Sequence, residues 1–275
     1  MKKRRKTPLA QSRGGRSLHT YRNDPAPKVS VVIPVYNERR SLAAVIREAY
    51  RVHPSVEVIA VVNGSTDGSR RIVEKMGPRM IAFDTVLGHD VGRAVGARAA
   101  RGDIVLFTDG DIVIPAAKLS AFVKAVENGA DVAMNTYIGP VKRDNVHRVV
   151  LAKHALTAML DRPDLAGTSL TTIPHALSRK AISEIGAEAL AVPPKALALA
   201  LRKGLNVKAA AYAAVGANNP RRRKGAGSDP VGDLILGDHL EALHAWIEAA
   251  AFSEEAAKPL RTETGKEGDD EAADD

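Results

Sequence analysis

The stretch "GDIVLFTDGDIVI", Gly102 to Ile114, decides how the rest of the chain reads. Ile104 to Thr108 is a run of apolar and β-forming residues, the length of one buried strand. It runs into two carboxylates, Asp109 and Asp111, on either side of Gly110. On an extended backbone residues i and i+2 point the same way, so both acids would aim at one place. Two like charges beside a core are costly unless something neutralises them. Mg²⁺ or Mn²⁺ suits the role, because hard cations take carboxylate oxygens and keep positions for phosphate. Asp and Gly are also ordinary turn residues, so this stretch alone leaves a metal site and a solvated turn both open.

The remaining composition narrows the classes. At 275 residues and 45% hydrophobic content the chain can bury a sizeable core. It has no cysteine, which excludes disulfides and thiolate chemistry and fits a reducing, cytoplasmic compartment. No apolar run reaches the roughly 18–20 residues of a membrane span. The net charge of +8 is uneven. Residues 1–28 hold nine Lys or Arg against Asp24, whereas the segment from Ser253 holds nine acids against Lys258, Arg261 and Lys266. Both ends read as disordered. The expected organisation is a basic arm (1–27), one globular domain (28–252) and an acidic tail (253–275). The arm suits peripheral contact with an anionic membrane surface or a solubilising role; no nucleic-acid partner is expected.

Strand and helix patterns alternate through the first half. Val29–Val35 and Val56–Val62 read as strands, followed by helices over 41–50 and 70–76. A short strand near Met80–Phe83 precedes a small-residue helix over 92–100. The Ile104 strand, a helix over 116–128 and the strand "ADVAMN" follow. Strands apolar on both faces, alternating with helices, predict an α/β fold: a mainly parallel sheet covered on both sides. The second half predicts helices over 148–160, 180–185 and 194–203, an extended "TSLTTIPHALS", a strand in "NVKAAAY", and a last helix over about 231–250. In parallel sheets ligands bind beyond the carboxyl ends of the strands. Tyr36-Asn37-Glu38, the run from Asn63 to Asp67, and Asp109-Gly110-Asp111 all fall there.

Together these residues resemble the family-2 glycosyltransferases, nucleotide-sugar enzymes of the GT-A fold, over about 80 of the 275 residues. Pro34-Val35-Tyr36-Asn37-Glu38 matches the family's first-strand ending. Gly88, Arg93, Gly96, Ala99, Gly102 and Asp103 fall at the spacing of its next signature, with Ala94 in place of an Asn, and Asp109-Gly110-Asp111 is its Asp-x-Asp. Two departures stand out. The second strand normally ends in two acids and here ends Val62-Asn63. The helix expected to open with Glu-Asp, whose Asp is the base of inverting members, reads Val192-Pro193-Pro194-Lys195.

The resemblance implies a metal-dependent transfer of a sugar from a nucleotide-diphosphate sugar to an unidentified acceptor, with stereochemistry open, and a domain divided into a nucleotide-sugar half (28–115) and an acceptor half (116–252). Asp111 leads as metal ligand and catalytic residue, with Asp109 beside it. Tyr36 offers a ring face to the base, the Asn63 amide a donor–acceptor pair, and Glu38 a partner for the ribose. Arg93 could meet the diphosphate or the metal-binding carboxylates. Pro34, Gly88 and Gly110 shape the donor site. Arg222, within Arg221–Lys224, could clamp an anion. Retaining relatives often use a later His as third ligand; His239, 128 positions after Asp111, is expected to complete the shell from near a helix start, with Asp238 orienting it or acting as base. His175 reads as a core histidine. The alternatives are a nucleotidyltransferase of similar fold, for which "PVYNERRS" lacks the usual loop, and a catalytically degenerate nucleotide-binding partner subunit.

Overall fold

The computed structural model describes residues 18–142, 145–216 and 229–256. The Arg221–Lys224 run with Arg222, residues 1–17 of the basic arm and residues 257–275 of the acidic tail lie outside the described residues.

Seven strands, β1 (Val29–Val35), β2 (Val56–Asn63), β3 (Arg79–Phe83), β4 (Ile104–Phe107), β5 (Val132–Asn135), β6 (His175–Ser178) and β7 (Val207–Ala211), form one sheet in the order β3-β2-β1-β4-β6-β5-β7. All neighbours pair in parallel except β6, which runs antiparallel to β4 and β5. The mixed, mainly parallel sheet is the expected one. The eight α-helices among the described residues are α1 (Leu42–Ala49), α2 (Ser69–Met76), α3 (Val91–Ala99), α4 (Ala116–Glu127), α5 (Arg148–Met159), α6 (Arg179–Ile185), α7 (Pro193–Arg202) and α8 (Pro230–Ala256).

The period-2 pattern divides the core by face. Val29, Val31, Ile33 and Val35 of β1, with Ile104 and Leu106 of β4, pack under α1, α2 and α4. Val32, Val105 and Phe107 face the other way, toward α3, α6 and α7. Helix α3 lies very close to β1: a Cβ at Gly96 would sit 2.2 Å from Val32 Cγ1. From β1 the chain adds β2 and β3 on one side and β4 on the other. Ligands of such sheets collect at that reversal, and the segments leaving β1 and β4 hold Tyr36–Glu38 and Asp109–Asp111.

A buried carboxylate locks this geometry. Glu57 of β2 is fully buried; it accepts from Ser30 Oγ at 2.7 Å, the Arg101 amide at 2.7 Å and the Arg101 guanidinium at 3.0–3.1 Å. Ser30 Oγ in turn accepts from the Gly102 amide at 2.8 Å. The connection leading into β4 is thereby fastened to β1 and β2.

Three expectations are corrected. Residues 18–27 belong to the folded unit: Leu18 and Tyr21 pack on the core, Tyr21 stacks on Tyr50 with centroids 4.5 Å apart, and Asn23 bonds both ways to the Val58 backbone. Thr168–Pro174 is a series of turns rather than an extended segment, with only His175–Ser178 as strand. Helix α8 starts at Pro230, where Asp229 accepts from the Gly232 and Asp233 amides, and continues to Ala256. It is held to α7 by the Arg202 guanidinium 3.7 Å over the Trp246 ring. Among the described residues no helix is long and apolar enough to cross a membrane.

On the far side of the sheet Asp131 joins β5, β6 and β7. It accepts from the Asn206 amide at 3.0 Å and Ser178 Oγ at 3.2 Å, with Lys180 nearby. Partial burial opposes its charge, but these donors win and hold the carboxyl below its usual range. A depressed folded value adds stability that is present above the unfolded pKa of about 3.9 and lost as pH falls through the folded one. Asp131→Asn should therefore melt below the native protein at pH 7, with the gap closing as melts are repeated below about pH 4. A gap of constant size would contradict this assignment.

Candidate active site

Strand β4 stops at Phe107, and Gly110 and Asp111 lie in a turn. The extended-backbone argument for Asp109 and Asp111 thus fails beyond the strand; a turn carries the two acids past the carboxyl end of β4. That turn is tied to the loop leaving β1. The Gly110 carbonyl accepts from Ser41 Oγ at 2.7 Å, and a Cβ at 110 would come within 3.2 Å of the Pro34 carbonyl oxygen and Glu38 Cγ. A side chain at 110 would therefore have to push one of the two loops back by a few tenths of an ångström.

Arg93 sets the electrostatics. It is 4% exposed, rising from α3 between two acids. One nitrogen, Nη1, donates to Asp90, and Nη2 donates to Asp109 Oδ1 at 3.1 Å. Burial works against its charge, yet Asp109 and Asp90 outweigh it and push the guanidinium above its ordinary value. Of its two sequence-based roles, contact with diphosphate or with the Asp-x-Asp carboxylates, the structure displays the second. Asp90, 4% exposed, carried no recognisable signal in the sequence: a lone acid before a helix reads as a cap, and it makes no side-chain cap hydrogen bond here.

The loops leaving β1 and β2 are laced together. Asn37, at φ 59°, accepts the Thr66 amide at 2.8 Å; Ser65 Oγ accepts the Asn37 amide at 3.1 Å; Ser69 Oγ accepts the Glu38 amide at 2.9 Å. Tyr36 projects from this frame half exposed. Asn63 has both ends of its amide engaged: Nδ2 donates to the Gly88 carbonyl at 3.0 Å and Oδ1 accepts the Leu87 amide at 2.6 Å. It braces the 87–88 segment rather than presenting a donor–acceptor pair outward.

Behind the turn, the His175 ring stacks on Phe107 at 5.1 Å, fully buried. Its Nδ1 donates to the Thr172 carbonyl at 3.2 Å. Burial, and then Arg93, lower its pKa to about 3, so it stays neutral. It is a core histidine, as read from sequence.

Helix α8 changes the reading of Asp238 and His239. Both lie in the helix body, well past the cap at Asp229, and Gly237 is helical. No Gly-Asp turn swings His239 anywhere. His239 Nδ1 donates to the Ile235 carbonyl at 2.6 Å, and burial lowers its pKa. Asp238 is raised to about 6 by burial, then by Asp90 and Glu241, with His89 opposing. Among the described residues no group of three or more His, Asp or Glu side chains could hold an ion, so Asp109, Asp111 and His239 are not assembled as one ligand set. Two carboxylates on one turn still suit Mg²⁺ or Mn²⁺, which commonly take one or two carboxylates and fill the shell with water and substrate phosphate.

A seven-stranded, mainly parallel sheet in this order, packed with helices, is the architecture of the GT-A class of glycosyltransferase folds. Residues 30–186 match the profile of glycosyl transferase family 2, and the chain belongs to that family. It is 34% identical over 123 residues to undecaprenyl-phosphate 4-deoxy-4-formamido-L-arabinose transferase of Serratia proteamaculans, covering 40% of this chain and 37% of that protein. The same enzyme of Pseudomonas syringae is 30% identical over 118 residues, covering 39% and 35%. The chain thus spans well under half the length of these relatives. Glucosyl-3-phosphoglycerate synthase from Mycobacterium tuberculosis, in complex with Mn²⁺, UDP and glucosyl-3-phosphoglycerate, superposes with a TM-score of 0.58 over 82% of this chain and 80% of that one. At 18% identity, that likeness concerns the fold.

Removing Arg93 leaves Asp90 buried without its counter-charge. Arg93→Met should cost about 3–5 kcal/mol in urea unfolding; a native-like midpoint would show that the pair is not a structural element.

Proposed function

We propose that the protein is a metal-dependent glycosyltransferase that moves a sugar from a nucleotide-diphosphate sugar to an acceptor. The observation that carries this reading is the Asp109–Asp111 turn at the strand-order reversal, with Asp109 fixed by a buried, already neutralised arginine. In this reading Asp111 binds Mn²⁺ or Mg²⁺, with Asp109 held beside it by Arg93. A bound metal would offset the charge that builds on the leaving diphosphate. Tyr36 supplies a ring face for the base, Glu38 meets the ribose, and Asn63 shapes the base pocket through Gly88 and Leu87. Asp238 is our choice for the base that the missing Glu-Asp would have supplied, since it lies within electrostatic reach of Asp90 and so of the Arg93 cluster. His239 is not carried forward as a metal ligand. The UDP and Mn²⁺ bound by the mycobacterial structural neighbour make them the first probes to try.

A second reading, a nucleotide-binding partner subunit without turnover, is favoured by one observation: the Asn63 amide is engaged within the protein. Release of UDP from a panel of UDP-sugars separates the two, because only an enzyme turns over.

Asp111→Ala should abolish Mn²⁺-dependent UDP binding in calorimetry while leaving the melting temperature unchanged or slightly raised, since it relieves repulsion with Asp109. Undiminished binding by this variant would end the metal assignment.

A further inference from the structure

Lys153 of α5 is 8% exposed, and its Nζ donates to Thr172 Oγ1. Among the described residues no counter-charge acts on it; burial alone draws its pKa down, to about 8, so it remains mostly charged at neutral pH. An ammonium has three donors, and Thr172 takes one of them. Helix α8 packs on α5, and its His239, 5% exposed, lies within electrostatic reach of Lys153. With Nδ1–H bonded to Ile235, His239 Nε2 carries a buried lone pair with no hydrogen-bond partner among the described residues. Thr168 Oγ1, 3% exposed, is a second buried polar atom without a partner among them, in the loop that contributes Thr172.

Burying a charge without a partner costs several kcal/mol. A lysine kept only for packing would be better replaced by Met. The cluster also lies close to the transfer turn: Thr172 bonds His175, His175 stacks on Phe107, and Asp109 follows two residues later.

Resting on the glycosyltransferase reading, we propose that Lys153, Thr172 and His239 form an acceptor-side subsite for an anionic group, phosphate or carboxylate, that carries or adjoins a hydroxyl. Lys153 supplies the positive charge. Thr172 rotates its hydroxyl to donate. His239 Nε2 accepts from the ligand's hydroxyl, which a lone anion could not satisfy. These residues come from α5, the turns before β6, and α8, three elements of the acceptor half.

The test is a thermal-shift titration of the full chain, without divalent cation, with inorganic phosphate, glycolate and chloride at equal ionic strength. The native melting temperature should rise saturably with phosphate if the acceptor group is a phosphate, or with glycolate if it is a hydroxy-carboxylate, and not with chloride. Lys153→Met should melt higher than native without anion and show no rise with either. Thr172→Val keeps the cation and should show a weakened response, which covers the case in which Lys153→Met fails to fold. The proposal is overturned if native and Lys153→Met respond alike, or if neither anion raises the native melting temperature. UDP–Mn²⁺ binding should be equal in native and Lys153→Met. Its absence from both would remove the donor-side reading while leaving the anion titration to decide this one.

Discussion

A single buried guanidinium, Arg93, organises the chemistry of this fold. It lies between Asp90 and Asp109, with one carboxylate on each side, in a place where any of the three alone would be costly. Because Asp90 already meets its charge, Arg93 works as a fixed strut rather than a free anion binder. It ties the start of α3 to the turn after β4, so the Asp-x-Asp turn is positioned from beneath. The Glu57–Arg101–Ser30 cluster does similar work at the other end of β4, where the chain enters the strand. The strand is thus fastened at both ends, by buried polar groups whose misplacement would be expensive.

Around that strut the loops leaving β1 and β2 are held by hydrogen bonding, not by bulk. Side chains of Asn37, Ser65 and Ser69 satisfy backbone groups of neighbouring loops, and Ser41 does so for Gly110. Tyr36 is left with its ring half exposed on a frame that holds its backbone. Such preorganisation suits recognition of a nucleotide, because little ordering remains to be done on binding. The second half of the chain is built differently, from helices α5 and α8 and a turn-rich segment, with uncompensated polar atoms buried among them.

Much of the fold was legible in the sequence, for local reasons. Strand runs apolar on both faces announced a helix-covered parallel sheet, with polar clusters at the strands' carboxyl ends. Pro34 to Glu38 and Asp109 to Asp111 were readable because each is a short run whose spacing alone carries meaning. What stayed hidden depends on distant contacts. Asp90 looks like a helix cap until Arg93 is seen buried against it. Lys153 sits in a helix whose apolar spacing does not mark it as buried. Asn63 reads as a base-recognising amide, but the backbone at Leu87 and Gly88 claims it. His239 was misplaced because "GDH" looks like a turn, although the real cap is Asp229 and the intervening residues continue the helix. The folded length of residues 18–27 was missed for the same reason: Tyr21 and Asn23 bind a surface that no local pattern reveals.

The account is tested most directly by a crystal structure of the protein with UDP and Mn²⁺. It predicts the ion bonded to Asp111 and to diphosphate oxygens on the turn after β4, with Arg93 still held between Asp90 and Asp109 and with His239 away from the metal. A nucleotide bound elsewhere, or Arg93 released from Asp90 to grip the phosphates, would contradict it.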